Sequence, residues 1–370
     1  MKTRAALCAL MLCHAAAAWS ATISVGTVEV RGTTTRGEPL VAGSVTMPFI
    51  RSDDAALAAR INDALFLGEL GMLARRNPGQ FVTAGAGIEP MSQGFTVDGE
   101  GGPVLSINFQ IEGCGAYCET YHSVHNFDTA SGRRVNDVDL VTAPGMRELA
   151  RQMMMTRLSA YTIQLADLAA RLKAEKQRDV RADLEERIAL NGECADMERE
   201  KLADESGLAQ AFSYYTQQHA GQALVLTSGR CSNHAMRALD DVGDVTMPVP
   251  YAKLRPWLTG YGKALLLGEG TARASGMYRQ LLRGHINGII PITMQLANER
   301  GNSVNGVYLY DKVGKPIKLV GKREGNELTL MERLGEEETA GATIKLVVTG
   351  SQLKGQWIGK KQLAIQLNVP

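Results

Sequence analysis

The chain has 370 residues, with 40 basic and 39 acidic side chains and a formal net charge of +1. That balance removes the electrostatic drive towards nucleic acid or an anionic membrane surface, and 5% aromatic residues leave little material for stacking platforms. The length predicts two or three domains.

Residues 1–20, MKTRAALCALMLCHAAAAWS, have the three parts of a secretory signal peptide: basic Lys2 and Arg4, an apolar run from Ala5 to Ala18, and the small-x-small site Ala18-Trp19-Ser20. The run is short of the roughly 20 residues that a membrane helix needs. Cys8 and Cys13 follow leucines, where lipoprotein processing requires small residues. The mature chain is therefore expected to be soluble, exported and periplasmic. Four cysteines remain in it: Cys114, Cys118, Cys194 and Cys231. An even number in an exported chain predicts two disulfides, with three connectivities open. The short closure suits a tight hairpin, which favours Cys114–Cys118 and leaves Cys194–Cys231. The C-x3-C spacing lacks the second pair of a zinc site and is not a C-x-x-C redox motif.

Ile23 to Arg31 alternates as a half-buried strand does. Thr33 to Gly37 is a turn, and Leu40 to Ile50 a second strand. Ser52-Asp53-Asp54 signals a helix start, and the acids are read as caps, not catalytic carboxylates. The helix sets Leu57, Ile61, Leu65 and Met72 on one face and runs to about Asn77, before Pro78. Phe95 to Val97 is a strand edge.

Leu105, Ile107, Phe109 and Ile111 form the apolar face of the next strand, ready to pack on a helix. Glu119 to Phe127 returns antiparallel to it. The clamped connection supplies a candidate binding loop, with Gly113, Tyr117, Glu119 and Thr120. His122 and His125, three apart on a strand, point to opposite faces and do not make a metal pair.

From Met146 the chain is helical, with Leu149, Met153, Leu158, Tyr161, Leu165, Leu168 and Leu172 in a stripe. Met153 to Met155 is read as adaptable core filling. Residues 171–187 are dense in both charges and predict a protruding helical hairpin. Asn191-Gly192 is expected to break the helix, which resumes over Cys194 to Tyr215. Ala223 to Leu226 and Val245 to Pro248 are short strands around a polar stretch, Gly229 to Asp241. Tyr251 to Leu267 is a last helix, bent or started at Arg255-Pro256.

Residues 268–284 read as a linker. Residues 285–370 contain seven strand-length runs separated by glycine-rich turns: IIPITMQLA, VNGVYLYD, PIKLVGKR, ELTLMERL, GATIKLVV, KGQWIG and LAIQLNV. They predict a small antiparallel meander curling towards a barrel.

Catalytic signatures are sparse. The sequence has no G-x-S-x-G elbow, H-E-x-x-H pair, P-loop or dinucleotide fingerprint. His234 with Asp240 and Asp241 is a weak metal or hydrolytic cluster beside Cys231, and polar residues flanking a disulfide account for it equally. No cofactor is predicted.

The segments LSINFQIEG, YHSVHNFDTASGRRV, the following DLV, the long helix and YAKLRPWLTGYG resemble the exported sensor domain of RsiV-type anti-sigma factors. That domain type also accompanies some peptidoglycan deacetylases. The resemblance spans Pro39 to Leu267 and implies an α+β fold, with an antiparallel sheet packed by long helices, and a role at the cell envelope. RsiV-type members bind lysozyme, so it also implies a lysozyme-like partner. Two departures bear on this. The chain has neither the sigma-binding segment nor the membrane helix of those factors, so signalling by regulated proteolysis is not expected. Its connection reads GCGAYCET where members carry a glycine- and histidine-containing loop, so no ligand residue is carried over.

The final segment resembles small β-modules at the ends of bacterial exported proteins, and distantly the avidin-type barrels. Fold alone assigns it no ligand. The expected organisation is a signal peptide (1–20), an RsiV-like domain (21–267), a linker (268–284) and an all-β module (285–370). The leading expectation is an exported binding protein without a catalytic site. The alternatives are a hydrolase of wall or glycan fragments working through His234, Asp240 and Asp241, and a periplasmic adaptor docking through its β-module.

Overall fold

The computed structural model describes residues 22–84, 87–88, 90–114, 118–274, 276–298, 301–335 and 339–369. The expected signal peptide and Tyr117 lie outside the described residues. The architecture is α+β, ending in a closed eight-stranded antiparallel barrel.

Strand β1 (Ile23–Arg31) pairs antiparallel with β2 (Thr46–Ser52) and parallel with β3 (Phe81–Thr83). Helix α1 (Ala55–Leu70) lies between β2 and β3 in sequence. Asp54 caps it, its carboxylate accepting from the Ala56 and Leu57 N–H groups at 2.9 and 3.0 Å, which satisfies two of the orphan donors of the first turn. The helix ends sooner than its sequence predicts. Gly71 takes a left-handed conformation at φ 63° and donates back to Leu67 and Phe66, so the turn closes before the Asn77-Pro78 stop is reached.

A second sheet follows, ordered β4 (Ser92–Asp98), β5 (Val104–Cys114) and β6 (Cys118–Asp128). Its apolar face carries Leu105, Ile107, Phe109, Ile111 and Phe127 into one buried core with Leu57, Ile61 and Leu65 of α1. The opposite face is also covered. The third sheet, β7 (Thr216–Ala220), β8 (Ala223–Ser228) and β9 (Val245–Pro250), packs over it through β7.

That interface has a buried hydrogen-bonded layer. Ser106 Oγ donates to Asn126 Oδ1 at 2.6 Å, Asn126 Nδ2 to the Gln217 carbonyl at 2.9 Å, and the His219 N–H to Ser106 Oγ at 3.3 Å. Such pairing is what allows these side chains to be buried.

After the short α2 (Asp137–Leu140), α3 (Ala143–Ala174) and α4 (Arg178–Ala203) form an antiparallel hairpin. Met153 and Met154 are buried and Met155 is exposed, as core filling requires. The predicted break at Asn191-Gly192 does not occur. Asn191 is fully buried, and its Nδ2 donates to the Arg187 carbonyl at 2.8 Å and the Leu239 carbonyl at 3.2 Å. The amide nitrogen that would break an exposed helix is paired inside this one, while Oδ1 is buried without a hydrogen-bond partner. The chain reverses instead at Glu175 to Gln177.

Helix α5 (Leu208–Phe212) leads to the third sheet, and α6 (Tyr251–Leu254) and α7 (Gly260–Leu267) close the lobe. A 3-10 turn at Arg255–Trp257 separates these last two, at the bend expected of Pro256. Among the described residues, no helix is long and apolar enough to cross a membrane.

The barrel comprises β10 (Leu281–Ile286), β11 (Ile290–Asn298), β12 (Ser303–Tyr310), β13 (Pro316–Glu324), β14 (Glu327–Leu334), β15 (Thr339–Thr349), β16 (Gln352–Ile358) and β17 (Gln362–Asn368). The last seven match the seven predicted runs. The first takes its residues partly from the predicted linker, and closure depends on it because β10 pairs with both β11 and β17. Its alternation is masked by Arg283-Gly284-His285. Leu282 and Ile286 enter the barrel core, whereas Leu281 joins the core around α1.

The interior is filled by Leu, Ile and Met side chains together with the fully buried Tyr308, as expected of eight strands. Glu332 is also buried; its carboxylate accepts from Tyr308, from Trp357 Nε1 at 2.9 Å and from the Ala342 N–H at 2.9 Å. A side chain at Gly321 or Gly355 would collide with a carbonyl of the adjoining strand, so these two bare positions permit the tight curvature.

Candidate functional site

The end of the β5–β6 hairpin is held on three sides. Cys114 and Cys118 face each other across the ladder and are disulfide-bonded. Arg36 donates to the Cys114 carbonyl at 3.2 Å, and Ser92 Oγ to the Glu112 carboxylate at 3.0 Å. On the other flank, Glu119 forms an ion pair with Arg230. Arg230 is positioned by its own N–H, which donates to Asp244 at 2.8 Å. It also adjoins Cys231, whose disulfide to Cys194 ties this loop to α4. The two cysteine pairs therefore meet through the Arg230–Glu119 contact.

Two clefts flank the hairpin end. One, about 430 Å³, is lined by Glu119, Thr120, Tyr121, His122, Arg230 and Asp244 among others. The other, about 320 Å³, lies between Thr34, Arg36, Met91, Gly113, Cys114 and Tyr121. Tyr121 borders both and is 46% exposed. Of the loop residues singled out in the sequence, Gly113, Glu119 and Thr120 gather here. Tyr121 and Arg36 join them unpredicted, because strand alternation does not reveal which residue straddles two clefts.

His234, Asp240 and Asp241 are each engaged separately. Asp240 accepts from the Ser232 and Gly243 N–H groups at 3.0 and 3.1 Å, which shapes its own turn. Asp241 pairs with Arg187 at 2.7 Å. His234 faces Glu119 at 4.0 Å. Among the described residues, Glu112, Cys114 and Cys118 are grouped tightly enough to suggest metal ligands. Their two sulfurs are bonded to each other, which removes the thiolates that a metal requires.

One grouping escaped the sequence reading. His125 Nε2 lies 2.6 Å from Glu69 Oε1 and 3.2 Å from Ser123 Oγ, the residue types of a hydrolytic triad. The connectivity is wrong for one. Both partners meet the same ring nitrogen, whereas a relay needs the nucleophile and the orienting acid on opposite nitrogens. Nδ1 is buried without a hydrogen-bond partner. Burial, aided by the charge of Arg134, lowers the His125 pKa to about 4 against the opposing pull of Glu69, so the ring is neutral at physiological pH.

His122, on the other face of β6, is exposed. Its Nδ1 lies 3.1 Å from Asn108 Oδ1, Asn108 Nδ2 donates to Gln218 Oε1 at 3.3 Å, and Gln218 Nε2 donates to Asp98 at 2.5 Å. That chain places the imidazole proton on Nδ1 and turns Nε2 away from the network.

In comparisons with known proteins, no protein-family model and no curated protein matches this chain.

Proposed function

We propose that this chain is an exported cell-envelope binding protein whose recognition element is the disulfide-clamped end of the β5–β6 hairpin. The carrying observation is the clamp itself. Cys114–Cys118, Arg36 and Arg230 hold an exposed end that presents Glu112, Thr120 and Tyr121. A recognition element ordered in advance loses less conformational entropy on binding than a free loop. Two disulfides support an oxidising compartment, and the RsiV-like reading supplies the partner class: a lysozyme-like, wall-active hydrolase. The hydrolase alternative has less support, because His234, Asp240 and Asp241 are committed to separate partners.

The test is to titrate the mature, non-reduced chain with lysozyme by calorimetry, and to follow wall lysis in parallel. Saturable binding that is weakened by Tyr121→Ala supports the proposal. Absence of a complex and of inhibition at micromolar concentrations would sink it.

A further inference from the structure

The strongest unassigned feature is a cleft of about 360 Å³ where the third sheet, the β6 face and the segment entering the barrel meet. Two guanidinium groups line it, from Arg134 and Arg279, together with His122. No lining residue carries a carboxylate. The rest of the lining mixes hydroxyls and amides, such as Ser213, Thr216 and Asn136, with the rings of Tyr215 and Tyr278.

Two details point to a ligand. Arg279 is held in a left-handed backbone conformation at φ 59°, which an arginine adopts at a cost and glycine would adopt freely. Its N–H donates to the Leu296 carbonyl at 2.6 Å and its carbonyl accepts from Gln295. The barrel therefore fixes the backbone, while the long side chain is aimed at the cleft. Asn136 is anchored through Nδ2 to Asp139 and to the Tyr278 carbonyl, and its Oδ1 is buried without a hydrogen-bond partner.

We propose that this cleft binds a small sugar acid: one pyranose-sized ring bearing hydroxyls and a single carboxylate. The volume lies at the lower end of the range for small-molecule sites. The planar Arg279 guanidinium matches a carboxylate, and Arg134, which also donates to the Val124 carbonyl at 3.5 Å, adds positive charge to the wall. The Ser213 and Thr216 hydroxyls match ring hydroxyls, and the tyrosine rings offer flat apolar surface to a sugar's C–H face. The cleft adjoins the one at the hairpin end through His122 and Thr216, but its argument uses no hairpin-end contact and stands whether or not that end binds a hydrolase.

The experiment is calorimetry on the mature, non-reduced chain with N-acetylmuramic acid and glucuronate as probes, against N-acetylglucosamine and inorganic phosphate. Both sugar acids are expected to saturate the protein and to bind at least about tenfold more tightly than either comparator. Arg279→Gly is expected to weaken them by about tenfold or more while the melting temperature holds or rises, because glycine suits the backbone there. If that variant fails to fold, R279Q carries the same comparison. The proposal is overturned if neither acid saturates the protein at about 10 mM. Phosphate binding as tightly as the sugar acids, or a folded Arg279 variant binding like the parent chain, would also overturn it. Lysozyme binding that fails while sugar-acid binding persists would count against the hairpin reading alone.

Discussion

Arg283, in the first barrel strand, donates to the fully buried carboxylate of Asp63 in α1, 220 residues earlier. Arg76 reaches the same carboxylate at 2.8 Å, and the Ala74 N–H donates to it at 3.0 Å. With Leu281 and Leu309 inserted into the α1 core, this makes the barrel a docked lobe rather than a tethered one. Asp63→Ala should destabilise the protein by about 2–3 kcal/mol, since three charge-assisted or backbone donors lose their acceptor. The penalty stays moderate because both arginines are about half exposed and can regain water. Urea unfolding, paired with limited proteolysis of the 268–280 segment, measures both effects. An unchanged midpoint and cleavage rate would rule out the docking role.

Arg157 and Glu198 form a deeply buried ion pair in the helical lobe, each 3% exposed and 3.2 Å apart. Arg157 also donates to Ser228 Oγ at 3.0 Å, the Gly229 carbonyl at 2.6 Å and Tyr161 at 3.2 Å. Arg157→Met should cost about 2–3 kcal/mol, because Glu198 loses its buried partner and keeps only Lys201 at 3.0 Å, whereas Ser228 and the exposed Gly229 can turn to water. Double substitution with Glu198→Gln should cost less than the sum of the single changes, which chemical denaturation of the four proteins tests.

Much of this fold was legible locally. The Asp54 cap, the β5 face, the α3 stripe and seven barrel strands each follow from a short-range pattern that tertiary packing then respects. What could not be read depended on distant partners. Asn191 stays within a helix with its Nδ2 donating to the distant Leu239 carbonyl, and β10 shows as a strand through its pairing with β11 and with the far β17. The same holds at the site. Gly113, Glu119 and Thr120 were visible from the cysteine spacing, but Arg36 and Arg230 come from positions 78 and 111 residues away from their partners. Nor does local alternation show that the third sheet covers Ser106 and Asn126 and brings His219 against them.

His219 lies in that layer, 2% exposed, with Nδ1 2.9 Å from the Tyr251 hydroxyl. Burial lowers its pKa from 6.5 to about 4. The unfolded chain therefore takes up a proton first as pH falls. Stability is complete above about pH 6.5 and declines towards pH 4, by roughly 3 kcal/mol for this residue. His219→Gln should remove that part of the acid sensitivity. The stability lost between pH 7.5 and 4.5, measured by urea titration, should be about 2–3 kcal/mol smaller in the variant. Equal losses in the two proteins would show that His219 is not the group responsible.

The two disulfides separate stability from recognition. Cys114–Cys118 spans four positions and Cys194–Cys231 spans 37. Loop entropy accordingly assigns the first about 2 kcal/mol and the second about 4 kcal/mol. Paired Cys→Ser substitution of the second bridge should therefore lower the melting temperature more. Under the proposed function, lysozyme affinity should respond in the opposite order. Opening the hairpin clamp frees the end that presents Glu112, Thr120 and Tyr121, and ordering it again on binding should cost about tenfold in affinity. The Cys194–Cys231 bridge acts on that end only through Arg230 and Glu119, so its loss should weaken binding less. Melting curves and calorimetry on the two double variants provide the comparison. A clamp-free protein that binds as well as its parent would remove the hairpin end from the recognition surface.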